Sequence, residues 1–103
     1  MTLDDRVMIA ELLAEYGALL TEKQRAVLTM YCEMDLSLHE VAQEYGISRQ
    51  AVRDVIVRAV AALEQYEAAL GAVQKRRRLM AVLQDEGQDP QVRIAAAQQL
   101  LEE

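Results

Sequence analysis

One proline, Pro90, and four glycines are the only strong breakers in 103 residues that are otherwise rich in Ala, Leu, Glu, Gln and Arg. Proline and glycine are the residues that most disfavour a helix interior, and the others carry the highest helix propensities. No stretch alternates apolar and polar residues with the period of two that a half-buried strand requires. The chain is therefore predicted to be all-α. Half of it is apolar (52%), enough to build a core, and the length suits one domain.

The few caps and breakers divide this composition into five predicted helices. The first runs from about Leu3 to Leu19, with Thr2 as its cap and Asp4 and Asp5 in the first turn, where the helix dipole favours acids. Met8, Ile9, Leu12, Leu13, Tyr16, Leu19 and Leu20 give it a wide apolar face. Thr21-Glu22-Lys23-Gln24 reads as a capping box opening a second helix that carries Val27, Leu28, Tyr31 and Cys32 and ends near Glu33. Ser37-Leu38-His39-Glu40 is a second capping box, opening a short third helix with Val41 and Ala42 inward and Tyr45 near its end.

The fourth helix is predicted over Arg49 to about Leu83, where Gly71 is the single breaker. Val52, Val55, Ala59, Ala62, Tyr66, Ala69 and Val73 keep heptad spacing, and Met80 and Leu83 resume it. Ile56, Val60, Leu63 and Leu70 form a second stripe. Unbroken, this helix would be roughly 50 Å long at 1.5 Å per residue. A small domain cannot bury two faces of so long a rod, so a homodimer is expected, with Tyr66, Leu70, Val73, Met80 and Leu83 as its seam. Asp89-Pro90 starts the last helix, which runs to Leu101 with Val92, Ala95, Ala96 and Leu100 available for packing. The chain reads as a single helical domain over 1–103, with a core over about 21–63 and a dimerisation region over about 49–102.

The stretch from Ser37 to Arg58 carries the functional signal. It comprises a capped short helix, a Gly46-Ile47 turn, a Ser48 cap and a second helix, the order of elements in a helix-turn-helix. In that motif the first helix braces the second, the turn needs a residue tolerant of left-handed geometry, and the second helix offers its N-terminal turns to a groove. Arg49, Gln50 and Arg53 occupy those turns. Arg pairs with guanine or phosphate and Gln with adenine, and the competing reading is a solvated helix face. Asp54 would repel phosphate, and Ala51, Ile56 and Val57 are apolar where a nucleic-acid reader keeps polar or basic residues, so a protein-binding use of this helix competes with a nucleic-acid one.

Charge bears on the same choice. The formal net charge is −6, whereas a dedicated DNA binder shows a basic stripe. The one basic run is Lys75-Arg76-Arg77-Arg78. It is a candidate secondary electrostatic site for RNA or an acidic protein, but four consecutive helical residues point in nearly all directions and cannot form one stripe, which favours a solvated collar.

Three segments together resemble the YlxM/p13-like helix-turn-helix proteins, which are similar to region 4 of bacterial sigma factors. They are Leu20-Thr21-Glu22-Lys23-Gln24-Arg25, Asp35-Leu36-Ser37-Leu38-His39-Glu40-Val41-Ala42 and Ile47-Ser48-Arg49-Gln50-Ala51-Val52. The resemblance extends through Tyr66-Glu67 and the charged helix beyond, and it departs at Arg53-Asp54-Val55-Ile56, where the family has Tyr-Asp-Asn-Ile. It implies a bacterial cytoplasmic accessory protein that regulates the signal recognition particle pathway by binding the particle's GTPase, its small RNA, or both. Two other readings stay open. One is a dimeric transcription regulator on duplex DNA, and the other is a protein-interaction module without nucleic-acid binding.

Other classes find little support. His39 and Cys32 are the only histidine and cysteine, too few for a standard zinc site or a Cys/His pair, and no glycine-rich phosphate loop exists. No enzyme activity and no cofactor are expected. The lone Cys32 suits a reducing cytosol and reads as a small buried hydrophobe. No apolar run approaches a bilayer's width, and Met1 to Ala10 lacks the basic and apolar regions of a secretory signal, so membrane insertion is not expected. Tyr16, Tyr31, Tyr45 and Tyr66 are dispersed at helical spacing, as for packing, and do not form a stacking platform for single strands.

Overall fold

A computed structural model of the chain describes residues 5–85, 87 and 89–102. Among them are six α-helices and no strand: α1 (Arg6–Tyr16), α2 (Glu22–Leu28), α3 (Leu38–Tyr45), α4 (Arg49–Leu70), α5 (Ala72–Leu83) and α6 (Pro90–Glu102). The all-α class holds, but the expected count of five becomes six. Gly71 adopts φ 62, ψ 20, the left-handed conformation that a right-handed helix cannot contain. It ends α4 and starts α5, so the predicted 49–83 rod does not form as one helix. The chain divides into two compact units, Met1–Leu70 and Gly71–Glu103.

In the first unit, local chemistry sets the helix starts. The Asp5 side chain accepts from the Met8 amide at 3.4 Å and caps α1. Thr2, the expected cap, and Asp4 lie outside the described residues. α1 stops at Tyr16, three residues short of the expected Leu19, because Gly17–Leu19 tightens into a 3-10 turn. Leu19, expected on the apolar face, is consequently exposed. The capping box at Thr21 is reciprocal: its amide donates to Gln24 Oε1 and its Oγ1 accepts from the Gln24 amide, both at 3.1 Å. α2 passes into a single π-type turn, Thr29–Glu33, that places Tyr31 in the core.

α4 is the central element, packing against α1, α2 and α3. Its buried stripe is Val52, Ile56, Ala59, Val60 and Leu63. Around it close Ile9, Leu12, Leu13 and Tyr16 of α1, Val27 and Leu28 of α2, Tyr31, and Val41 and Ala42 of α3. Burying each large side chain in such a core contributes about 1.5–3 kcal/mol. Further contacts tie down both ends of α1. The Tyr16 hydroxyl donates to Glu67 Oε1 at 2.6 Å, and its ring lies 6.1 Å from that of Tyr66. At the other end Arg6 lies 4.1 Å from the Tyr31 ring centroid and pairs with Asp35, a residue held at φ 57 in the turn before α3.

The second unit is an antiparallel hairpin of α5 and α6. Asp89 caps α6 as expected, its Oδ1 accepting from the Gln91 amide at 2.8 Å with Pro90 as the first helical residue. Arg93 Nη1 donates to the Leu83 carbonyl at 3.0 Å near the turn, and Lys75 Nζ to the Leu101 carbonyl at 3.4 Å at the open end. Val73 and Ala97 are the buried side chains of this unit among the described residues, and Val92, expected to pack, is exposed.

Candidate functional site

The motif helices are set by three local devices. Ser37 opens α3 with a reciprocal capping box, its amide donating to Glu40 Oε1 at 3.2 Å and its Oγ accepting from the Glu40 amide at 3.1 Å. Gly46 closes α3 at φ 65, ψ 33, and both its own N–H and that of Ile47 (3.1 Å) donate to the Ala42 carbonyl. This is the left-handed helix stop expected of the glycine. Ser48 Oγ then accepts from the Ala51 amide at 3.0 Å, capping α4. The chain thus turns from α3 into α4 within three residues. Half-buried Ile47 and buried Val41, Ala42, Val52 and Ile56 fill the angle between them.

This turn exposes Arg49, Gln50 and Arg53 on the first turns of α4. Neither Arg49 nor Arg53 forms an ion pair among the described residues. Gln50 is engaged, with its Nε2 donating to Asp54 Oδ1 at 3.0 Å. The bond uses one of the two Nε2 hydrogens and sets the Asp54 carboxylate beside the amide that would read an adenine edge. Asp54 and Val57 are exposed on the same stretch, but Ile56 is wholly buried. The expectation that Ile56 faces a partner is corrected: it sits on the stripe facing α1 to α3. Arg58, which sequence reasoning did not single out, is also exposed. It lies about 180° around α4 from Arg49, so it extends the basic character to the other flank of the exposed face.

The other candidate residues lie in different places. Lys75, Arg76, Arg77 and Arg78 are on α5, in the second unit, with Arg76, Arg77 and Arg78 exposed and Lys75 half-buried. The five expected seam residues fall on two helices. Tyr66 and Leu70 end α4, while Val73, Met80 and Leu83 belong to α5. Leu70, Met80 and Leu83 are exposed, Val73 is buried, and Tyr66 is half-buried against Tyr16 with its hydroxyl 3.4 Å from the Leu19 carbonyl.

A shallow groove lies on α1, lined by Arg6, Val7, Ala10, Glu11, Ala14 and Cys32. Cys32 is half-buried, short of the full burial expected. Partial burial pushes its thiol pKa up, and the nearby Arg6 opposes the shift only in part. The reactive thiolate is therefore scarcer than in a free cysteine. Alkylation of Cys32 at pH 8 is expected to run slower than that of an unfolded control, and equal rates would contradict the shift. No cluster of His, Cys, Asp and Glu suited to a metal occurs among the described residues, and no helix there is long and apolar enough to cross a membrane.

A short braced helix, a left-handed glycine turn and a second helix with an exposed basic start define a helix-turn-helix protein. The family model of YlxM/p13-like helix-turn-helix proteins matches residues 3–103. A UPF0122 protein of Clostridium botulinum (strain Alaska E43 / Type E3) is 46% identical over 76 residues, covering 74% of this chain and 70% of the relative. A UPF0122 protein of Geobacillus sp. (strain WCH70) is 48% identical over 85 residues, covering 75% and 77%. One from Bacillus cereus (strain AH187) is 51% identical over 71 residues, covering 66% and 64%. The chain belongs to the YlxM/p13-like helix-turn-helix family.

Proposed function

We propose that this chain is a non-catalytic accessory protein of the signal recognition particle pathway that docks the N-terminal turns of α4 on the particle's small RNA, its GTPase, or both. The pathway comes from the resemblance carried by the motif residues, and the surface comes from the geometry. The observation that carries the surface is the exposure of Arg49 and Arg53, without an ion pair among the described residues, at the start of the helix that the Gly46 turn presents. Exposed guanidiniums there suit phosphate oxygens or a partner's carboxylates. The Gln50–Asp54 pair lowers the value of this face for base reading, which favours contact by charge and shape over a sequence code.

The test is fluorescence anisotropy of the purified chain with the particle's small RNA, with its GTPase and with duplex DNA. Arg49→Ala/Arg53→Ala is expected to weaken RNA binding about tenfold or more and to reduce the slope of log affinity against log salt by about one to two units. Unchanged RNA affinity would remove α4 from the interface. Tighter binding to a palindromic duplex than to the RNA would replace this reading with a dimeric transcription regulator.

Exposed Val57 beside Asp54 supports a second reading, a protein-interaction surface without nucleic acid. Under that reading the GTPase binds, the RNA does not, and Val57→Asp abolishes capture while the double arginine variant leaves it intact.

A further inference from the structure

The α5–α6 hairpin leaves several large apolar side chains exposed. Met80 and Leu83 of α5 and Ile94 and Leu101 of α6 are all exposed, each between 44% and 62%. They share one face. On α5, Arg76, Met80 and Leu83 follow at i, i+4 and i+7, and on α6, Pro90, Ile94, Ala97 and Leu101 follow at i, i+4, i+7 and i+11. Leu83, Pro90, Arg93 and Ile94 line one open depression, so the two stripes adjoin near the turn. A hairpin of this length falls below the roughly 40 residues at which a domain usually needs a disulfide, a metal or a second copy to be stable.

The charges of the hairpin are polar end to end. Arg76, with Lys75, Arg77 and Arg78 around it, lies one turn before Met80 towards the open end. Asp85 and Asp89 flank the turn at the opposite end, where Arg93 donates to the Leu83 carbonyl, and Glu102 lies at the open end. Met80 sits between the two. A surface with net positive charge at one end, net negative charge at the other and apolar residues between is complementary to itself when turned end for end, the condition for an isologous two-fold interface. A parallel pairing would set like charges together.

We propose that the α5–α6 hairpins of two copies of this chain pack antiparallel into a four-helix bundle, with Met80, Leu83, Ile94 and Leu101 in the seam and Arg76 of each copy facing the acidic turn of the other. This interface differs from one along a continuous long helix, since it needs α6 and does not use Tyr66 or Leu70. It is independent of what α4 binds.

The experiment measures the mass of the full chain by light scattering during gel filtration. The wild type is expected at twice 11.6 kDa at micromolar concentration. Leu83→Asp/Ile94→Asp is expected to run as a monomer that keeps its helical circular dichroism. Because such a variant can also lose the hairpin itself, charge reversal supplies a second arm. Arg76→Glu and Asp85→Arg each set like charges at both ends of their own dimer and are expected to weaken it about tenfold. Mixed one to one, they restore both attractive contacts and should recover the dimer mass at concentrations where neither alone does. A monomeric wild type at 100 micromolar overturns the proposal, as does a dimer unmoved by the apolar pair. So does a mixture no tighter than its parts, and so does a wild-type monomer that sediments with anionic lipid vesicles through Met80 and Leu83.

Discussion

Ile56→Asp is expected to leave the chain without a cooperative fold. Ile56 has no solvent exposure and lies on the stripe of α4 that meets the core residues of α1, α2 and α3. The substitution removes a packed side chain, at about 2–5 kcal/mol for the lost contacts and residual cavity. It also buries a carboxyl with no partner, which costs several kcal/mol more, whether as an unpaired charge or as an acid protonated to avoid one. A domain of this size has about 5–15 kcal/mol in total, so the sum removes most or all of it. Urea unfolding followed by circular dichroism measures this directly. A midpoint within a few tenths of molar of the wild type would contradict the core placement. Val57→Asp, one residue on and 48% exposed, is expected to cost no more than about 0.5 kcal/mol. The contrast matters for function, because loss of partner binding in Ile56→Asp would report unfolding, whereas the same loss in Val57→Asp would report a contact.

Ile56 also shows where sequence reading reaches its limit. Its stripe with Val60, Leu63 and Leu70 is visible from spacing, but grouping it with Ala51 and Val57 as apolar residues of the presented face ignores the 100° between successive helical residues. Features closed within one turn are legible: the Thr21 and Ser37 capping boxes, the Asp89-Pro90 start and the Gly46 stop each depend on residues no more than five apart, and each is present. The Gln50–Asp54 bond was equally local and could have been anticipated from the i, i+4 spacing. Gly71 was not decidable in that way. A glycine inside a helix costs only about 1 kcal/mol, a sum that packing can offset, so the residue alone permits either a continuous helix or a break. Contacts across long sequence separations, such as Tyr16 with Glu67 or Arg6 with Tyr31 and Asp35, leave no periodic signature and emerge only from the packed fold. For the site, the sequence located the motif and its exposed arginines. It could not show that the expected seam is divided at Gly71.

Substitutions at Gly46 are expected to form a graded series that separates backbone geometry from space. A Cβ built at this position meets nothing within 4 Å, so side-chain volume is not what the turn excludes. The constraint is φ 65 itself. Asn, which tolerates the left-handed region, should cost the least. Ala should cost about 1 kcal/mol, the penalty of placing an L-residue there. Pro should cost about 3 kcal/mol or more, because its ring fixes φ near −65° and removes the N–H that donates to the Ala42 carbonyl. Equal losses for Ala and Pro, read from chemical denaturation, would mean that the left-handed angle does not govern this turn. The same series bears on function. Gly46 sets the direction in which α4 leaves α3, and with it the presentation of Arg49 and Arg53. If partner binding depends on that presentation, affinity under conditions where each variant remains folded should be retained in Gly46→Asn and lost in Gly46→Pro. If binding uses a surface away from the motif, every folded variant should bind alike, and the helix-turn-helix would act as a scaffold and not as the contact.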